Sequence, residues 1–482
     1  ESGSAYPSTT ACAEREEKQR TAKTHFDIDG HMARNYKPHP MRLNPIPIRA
    51  LPLVALALAG CVMPPKAYKK PPAAESRPVD TGKFWWGTST ASYQNEDRGL
   101  PKTSPDYFKT DWDIFAEEGR IPPRGEEATF SWTHFDKDIK ALKKIGVNHY
   151  RFGIEWGRVE PRPGEFNEAA IQQYVSMARQ LKAVGIEPVV TLWHFTFPSW
   201  LYDSKAKNRS NFLHPDVEKH WKEYVTRMVD ALGPYVKVWV PQNEPNGALY
   251  IGYFGGAWPP GLLVTPGALK KATRVSTDMF REASEIIRKK DPGALVMGIY
   301  SIPNWERSHL QDPTGFVYNM MQRQNYDHLD RVADSMDLIG VNYYYSQVAS
   351  ARRFIVRPKG ELSSHYTQNG WLIDPEGLHS VLSSVSKRYG KPIVISENGI
   401  GTQSEQKKIR YFREHVNQMR RALEDGIDIR GYFPWTLIDN YEWAEGYAAN
   451  FGLTHLNKKT MQLELDPAGQ WFRNFIKSNP TP

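Results

Sequence analysis

Val238-Trp239-Val240-Pro241-Gln242-Asn243-Glu244 and Ile393-Val394-Ile395-Ser396-Glu397 share one plan: a short run of β-formers that ends on a carboxylate. A parallel strand buried on both faces reads as a near-continuous apolar run, so each stretch predicts such a strand with its last side chain delivered to the rim of a sheet. Working outward, the same kind of segment recurs at 84–90, 149–156, 187–194, 295–301, 337–344 and 429–439. Amphipathic stretches at 135–145, 169–184, 215–232, 266–289, 375–389 and 407–425 lie between them and read as helices. Eight strands alternating with helices predict an α/β fold, a closed (β/α)8 TIM barrel forming a single catalytic domain, with its active site at the carboxyl ends of the strands. The competing open, doubly wound sheet needs a glycine-rich phosphate turn after an early strand, and Phe84-Trp-Trp-Gly-Thr-Ser-Thr does not supply one. Two acids brought to one rim from different strands are the pair that glycoside hydrolysis needs. One protonates the leaving oxygen and the other attacks or activates water.

The chain has 482 residues, 12% of them aromatic, including 15 Trp, and an ordinary 24% charged, so a large core is expected and general disorder is not. Trp enrichment fits ordinary core packing and also a site where flat rings stack on sugar C–H faces. The net charge of +8 does not point to nucleic acid: residues 1–80 carry 12 Lys/Arg against 8 Asp/Glu, leaving 50 against 46 in the remainder, and no arginine-rich stripe accompanies them. Cys12 and Cys61 both precede the part expected to fold, which therefore contains neither a disulfide nor a cysteine-based metal site.

Residues 1–40 lack apolar periodicity, include Gly-His-Met at 30–32, and are set aside as an upstream, disordered or non-native segment. From Met41 the pattern changes to Arg42 and Arg49, an apolar run at 51–59, and Leu58-Ala59-Gly60-Cys61. A basic start, a short apolar core and small residues at a cut site describe a secretory signal over 41–60, too short to span a bilayer comfortably. The final four residues resemble a bacterial lipoprotein signal, in which Cys61 carries the lipid and tethers an exported protein to a membrane. If 41–61 is not a working signal, the protein is cytoplasmic. A Pro-rich linker at 61–82 then leads to the catalytic domain at 83–478.

Several further motifs occur in order at predicted strand ends: Phe84-Trp-Trp-Gly-Thr-Ser-Thr-Ala-Ser-Tyr-Gln94-Asn-Glu, His149-Tyr-Arg151-Phe, Trp193-His194-Phe-Thr-Phe-Pro, Asn243-Glu244-Pro, Gly340-Val-Asn342-Tyr-Tyr344, Ser396-Glu397-Asn-Gly and Pro434-Trp435-Thr-Leu-Ile-Asp-Asn-Tyr-Glu442-Trp443. Together they resemble family 1 glycoside hydrolases, the β-glucosidase and β-galactosidase family, over roughly residues 83–478. The resemblance implies a retaining β-glycosidase, of β-glucosidase type, in which Glu397 is the nucleophile and Glu244 the acid/base. Retention requires their carboxyls about 5–5.5 Å apart. Arg151, Tyr344 and Asn342 match the residues beside this pair, with Arg151 and Tyr344 holding Glu397 ionised, while Glu244 starts neutral because of its neighbour's charge. Gln94, His194, Asn243, Glu442 and Trp443 match the sugar pocket: Gln94 and Glu442 at the far end of the ring, Asn243 on the 2-hydroxyl. Trp435 matches a stacking floor with Phe451 nearby, and Trp371 a platform for the aglycone. The implied partner is a small β-glycoside or oligosaccharide, with no nucleic acid and no metal or organic cofactor.

The chain departs from the family pattern in two places. The usual His-Trp-Asp-Leu-Pro reads His194-Phe195-Thr196-Phe197-Pro198, which loses an indole N–H donor, and the usual Ser-Trp reads Glu155-Trp156, which adds a carboxylate. That carboxylate is either a supporting partner of the site or simply solvated. Glucosides are the expected substrates, with galactosides and fucosides alongside. A 6-phospho-β-glycosidase would typically carry Ser at 442 and Lys and Tyr at 449 and 451, where this chain has Glu442, Ala449 and Phe451. A non-hydrolytic carbohydrate-binding protein would be marked by loss of either carboxylate. Transfer to an acceptor other than water depends on loop shape, which sequence does not specify.

Overall fold

The computed structural model describes residues 82–350 and 363–482. The upstream segment, the signal-like stretch with Cys61, and nearly all of the linker lie outside the described residues. Eight parallel strands form a closed barrel: Trp85–Ser89, His149–Gly153, Glu187–Thr191, Val238–Val240, Leu295–Ser301, Leu338–Tyr343, Ile393–Asn398 and Ile429–Pro434. Each pairs with its neighbours in sequence, and the first closes the ring on the eighth, with Trp85 opposite Gly431. Closure rules out the open doubly wound sheet. Four of the eight predicted strands, the second, third, fourth and eighth, end three to five residues early, because the rim residues turn into loops that leave the ladder.

The helix Phe135–Ile145 shows why these segments fold locally. Asp136 and Asp138 sit in its first turn, Lys143 and Lys144 in its last, and both ends complement the helix dipole. Gly146, at φ 87°, ends it in the left-handed region that glycine enters without penalty. Its Ile139, Leu142 and Ile145 are buried against the barrel. The helix Phe316–Val332, between the fifth and sixth strands, is one that the sequence reading does not mark. Its Asn/Gln-rich composition blurs the apolar stripe formed by Val317, Met320, Met321, Leu329 and Val332.

Inside the barrel, Trp85, Val189, Val238, Val240, Met297, Ile299, Leu338, Val394 and Phe433 make a separate apolar plug. Gly87 leaves space for the Phe433 ring, since a Cβ there would lie 2.2 Å from it. This floor closes the lower barrel and leaves polar side chains to the upper rim.

Candidate active site

Arg151, at the third position of the second strand, is fully buried and faces inward. Its Nη2 donates to Oε1 of Glu397, its Nε to Ser89 Oγ at 3.2 Å, and its Nη1 to Asn243 Oδ1 at 3.2 Å. Glu397 lies within the seventh strand, opposite Asn342 of the sixth, and only 3% of its surface is exposed. The Tyr344 hydroxyl donates to its other oxygen at 2.5 Å. Burial raises the Glu397 carboxyl above the ordinary carboxylate range, and Arg151, Tyr344 and Asn342 all act against that rise.

Glu244 is reached differently from the strand-terminal position expected for it. The fourth strand ends at Val240, and Glu244 follows four residues later in the left-handed region, φ 45° and ψ 46°, capping the helix Pro245–Tyr253. Two backbone hydrogen bonds keep the intervening chain on the rim: Asn243 N–H to Trp193 O and Glu244 N–H to Ile299 O, both 2.9 Å. A non-glycine residue held there costs of order 1–3 kcal/mol. Asn342 Nδ2 donates to Glu244 Oε1 at 2.7 Å, and Ser396 Oγ fixes that amide by donating to Asn342 Oδ1 at 2.7 Å. The Glu244 carboxyl is pushed up to about 8, first by burial and only second by the charge on Glu397. The expectation that the neighbour's charge holds Glu244 neutral therefore has its order of causes corrected. Desolvation leads for both carboxyls, but Glu244 has a single side-chain amide to oppose it where Glu397 has a cation and a hydroxyl.

The rest of the rim forms an aromatic and polar bowl. His194 stacks against Trp435 (5.9 Å, 28°) and Trp443 (5.8 Å, 15°), and Trp443 in turn stacks on Tyr93 (5.8 Å, 11°). Gln94 Nε2 donates to Tyr441 O at 2.7 Å, Asn440 Oδ1 at 3.1 Å and Glu442 Oε2 at 3.3 Å. Burial followed by the Glu397 charge raises Glu442 to about 8, opposed by hydrogen bonds from Trp435 and Gln94. Phe451 stands edge-on to Tyr344 (6.0 Å, 85°). Trp371, partly exposed, packs over Tyr345 (5.0 Å, 25°) and against Phe451 (6.3 Å). The thirteen candidate residues thus form one connected group at the carboxyl end of the barrel.

The hydrogen bonds of the bowl leave a donor and an acceptor for a ligand. Asn243 Oδ1 accepts from Arg151, so its Nδ2 is the donor toward His194 Nε2 at 3.2 Å. The His194 proton then sits on Nδ1. Burial, with the Arg151 charge added, holds the imidazole well below its usual pKa and therefore neutral. His194 Nδ1 and Gln94 Oε1 are both buried with no partner among the described residues, one a donor and the other an acceptor. A hydroxyl both donates and accepts, and could satisfy the two together.

Glu155 is not solvated: it is 1% exposed and accepts from Thr196 Oγ1 at 3.0 Å. Phe195 lies edge-on to Trp443 (4.9 Å, 66°) and close to Trp258 (4.9 Å), at φ 71°. The sequence reading missed Ser396, Tyr93 and Trp258 as parts of the site. Ser396 stands inside a quoted motif and was detectable there as a hydroxyl beside a carboxylate, whereas nothing local ties Trp258 to a site built from distant strands.

A family model, "Glycosyl hydrolase family 1", matches residues 80–290 and 294–481. Beta-glucosidase A of Acetivibrio thermocellus is 29% identical over 453 residues, covering 82% of this chain and 98% of that protein. The 1,4-beta-D-glucan glucohydrolase of Thermotoga neapolitana is 28% identical and covers the same shares. Among solved structures, a family 1 β-glucosidase of Thermotoga maritima in complex with isofagomine lactam superposes with a TM-score of 0.73 at 26% identity, covering 83% of this chain and 99% of that one.

Proposed function

We propose that this chain, which belongs to glycosyl hydrolase family 1, is a retaining β-glycosidase that removes terminal β-D-glucosyl groups, with Glu397 as nucleophile and Glu244 as acid/base. The observation that carries the assignment of roles is the unequal surroundings of the two carboxyls. Glu397 has a cation and a hydroxyl on its two oxygens, which favour its anion. Glu244 has one amide on one oxygen and a pKa raised to about 8, so it carries a proton at neutral pH.

The steps follow from that asymmetry. Glu397 attacks the anomeric carbon as Glu244 delivers its proton to the glycosidic oxygen; the C–O bond to the aglycone breaks and a glycosyl ester forms with inversion. Esterification removes the Glu397 charge, one of the two main causes that raise Glu244, so the Glu244 carboxylate is then stabilised. It takes a proton from water, the water oxygen attacks the same carbon, and a second inversion releases Glu397 with net retention.

For the sugar, His194 Nδ1–H and Gln94 Oε1 would share one hydroxyl, and Glu442, held neutral, would donate to and accept from hydroxyls at the far end. Glucose rather than a 6-phosphosugar is favoured by the buried Ala449 and Phe451, which offer no cation to a phosphate. The β-glucosidase names of the relatives agree with this choice. A panel of aryl β-glycosides including a 6-phosphoglucoside, with product anomers followed by NMR, tests the reading. The first product expected is β-glucose. A first-formed α-anomer, or preference for the phosphorylated substrate, overturns it. The leader-like residues at 41–61 support export with a lipid on Cys61, which mass spectrometry of the mature amino terminus checks.

A further inference from the structure

Glu155 is a buried carboxylate that the reaction above does not use. It stands two residues beyond the end of the second strand at Gly153, where the backbone lies against the Ser92–Asn95 turn: a Cβ at 153 would stand 3.1 Å from Ser92 N. Among the described residues its side-chain donors are Thr196 Oγ1 at 3.0 and 3.2 Å, Ser92 Oγ at 3.5 Å and the Gly157 amide at 3.4 Å. Arg98 and Arg158 lend their fields, but Arg98 pairs with Asp113 and Arg158 with Glu96. A buried carboxylate bound by neutral donors is an expensive way to fill space, since an apolar side chain would avoid the desolvation.

Its partners indicate what it does. Thr196 stands two residues after His194, and Ser92 two residues before Gln94. Those are the residues with an unpaired donor and an unpaired acceptor. The turn between His194 and Thr196 passes through Phe195 at φ 71°, a conformation that must be held from outside. Trp112 Nε1 secures one side by donating to Phe195 O at 3.1 Å, and Glu155 secures the other through Thr196.

We propose that Glu155 is a positioning residue for sugar binding: through Thr196 and Ser92 it sets the distance between the His194 donor and the Gln94 acceptor, and so the affinity for the glycosyl group. The proposal rests on the glycosidase reading.

The test uses the full chain and its Glu155→Gln, Glu155→Ala, Thr196→Val and Glu155→Ala/Thr196→Val variants, measuring kcat and KM on an aryl β-glucoside together with the melting temperature. Glu155→Ala and Thr196→Val should each lower kcat/KM about tenfold, the upper end of the loss expected for one buried hydrogen bond, with most of it in KM. The double variant should be no worse than the poorer single one, because both remove the same contact. Glu155→Gln should stay near the wild type, as its amide oxygen still accepts from Thr196. If Glu155→Ala does not fold, Thr196→Val and Glu155→Gln decide alone. A Thr196→Val variant with wild-type KM, losses that multiply in the double variant, or a change confined to melting temperature would overturn the proposal. Wild-type protein without glycosidase activity would bring down the functional reading first, and this proposal with it.

Discussion

Tyr344→Phe isolates one atom of the nucleophile's surroundings. The ring keeps its places beside Trp371 (5.6 Å) and Phe451 (6.0 Å), and only the hydroxyl that donates to Glu397 Oε2 is lost. A hydrogen bond to a charged group is worth about 1.5–3 kcal/mol. At about 1.36 kcal/mol per pKa unit, its loss should raise the Glu397 pKa by about one to two units. The sign follows from the donor's preference for the anion: without it the protonated form gains, and a higher pH is needed to ionise the nucleophile. In a kcat/KM–pH profile on an aryl β-glucoside the acid limb reports that ionisation, so it should move to higher pH by this amount. The alkaline limb reports loss of the Glu244 proton, with activity falling as pH rises through about 8. The lost hydroxyl bonds Glu397, so this limb should stay in place and the active window should narrow from the acid side. The limbs are properties of the coupled pair, and the comparison between variant and parent carries the test. An acid limb that stays put or moves to lower pH would refute the reasoning.

Glu397→Gly should abolish nearly all hydrolysis, and azide or formate should restore part of it through attack in the vacated space, with an α-linked product by NMR. Glu244→Ala should slow substrates with poor leaving groups far more than activated aryl glycosides, lose the alkaline limb near pH 8, and give the β-glycosyl azide on rescue. Equal losses across leaving groups would remove Glu244 from the acid role. Glu442→Ser should lower kcat/KM for glucosides by up to about tenfold, the equivalent of about 0.5–1.5 kcal/mol for a hydrogen bond to a neutral group. It should also raise the 6-phosphoglucoside relative to glucoside, further when combined with Ala449→Lys. Phe433→Ala should destabilise the fold by about 3–5 kcal/mol in denaturant unfolding, because it empties the barrel floor beneath Gly87.

The barrel and the two catalytic candidates were legible in the chain because their signals are local. An apolar run such as Ile393-Val394-Ile395 can be satisfied only by burial on both faces, and the carboxylate that ends it is carried to the rim by the pleat alone. Helix limits such as Gly146 are equally local, since capping is decided by one or two residues. The surroundings of the carboxyls were not legible in this way. Whether Glu155 is solvated or buried depends on Ser92 and Thr196, which are separated by 63 and 41 residues from it. Glu244 is pushed up by burial before charge because segments from several strands close over it, and a sequence lists those segments without their distances. The left-handed backbone at Glu244 and Phe195 likewise comes from the packing of the rim, against the local preference of both residues. The sequence by itself determined the strand order, six of the helices around the barrel and that Glu244 and Glu397 stand at the rim. Tertiary structure decided which of those acids holds a proton, because protonation depends on solvent and neighbours summed over the whole rim.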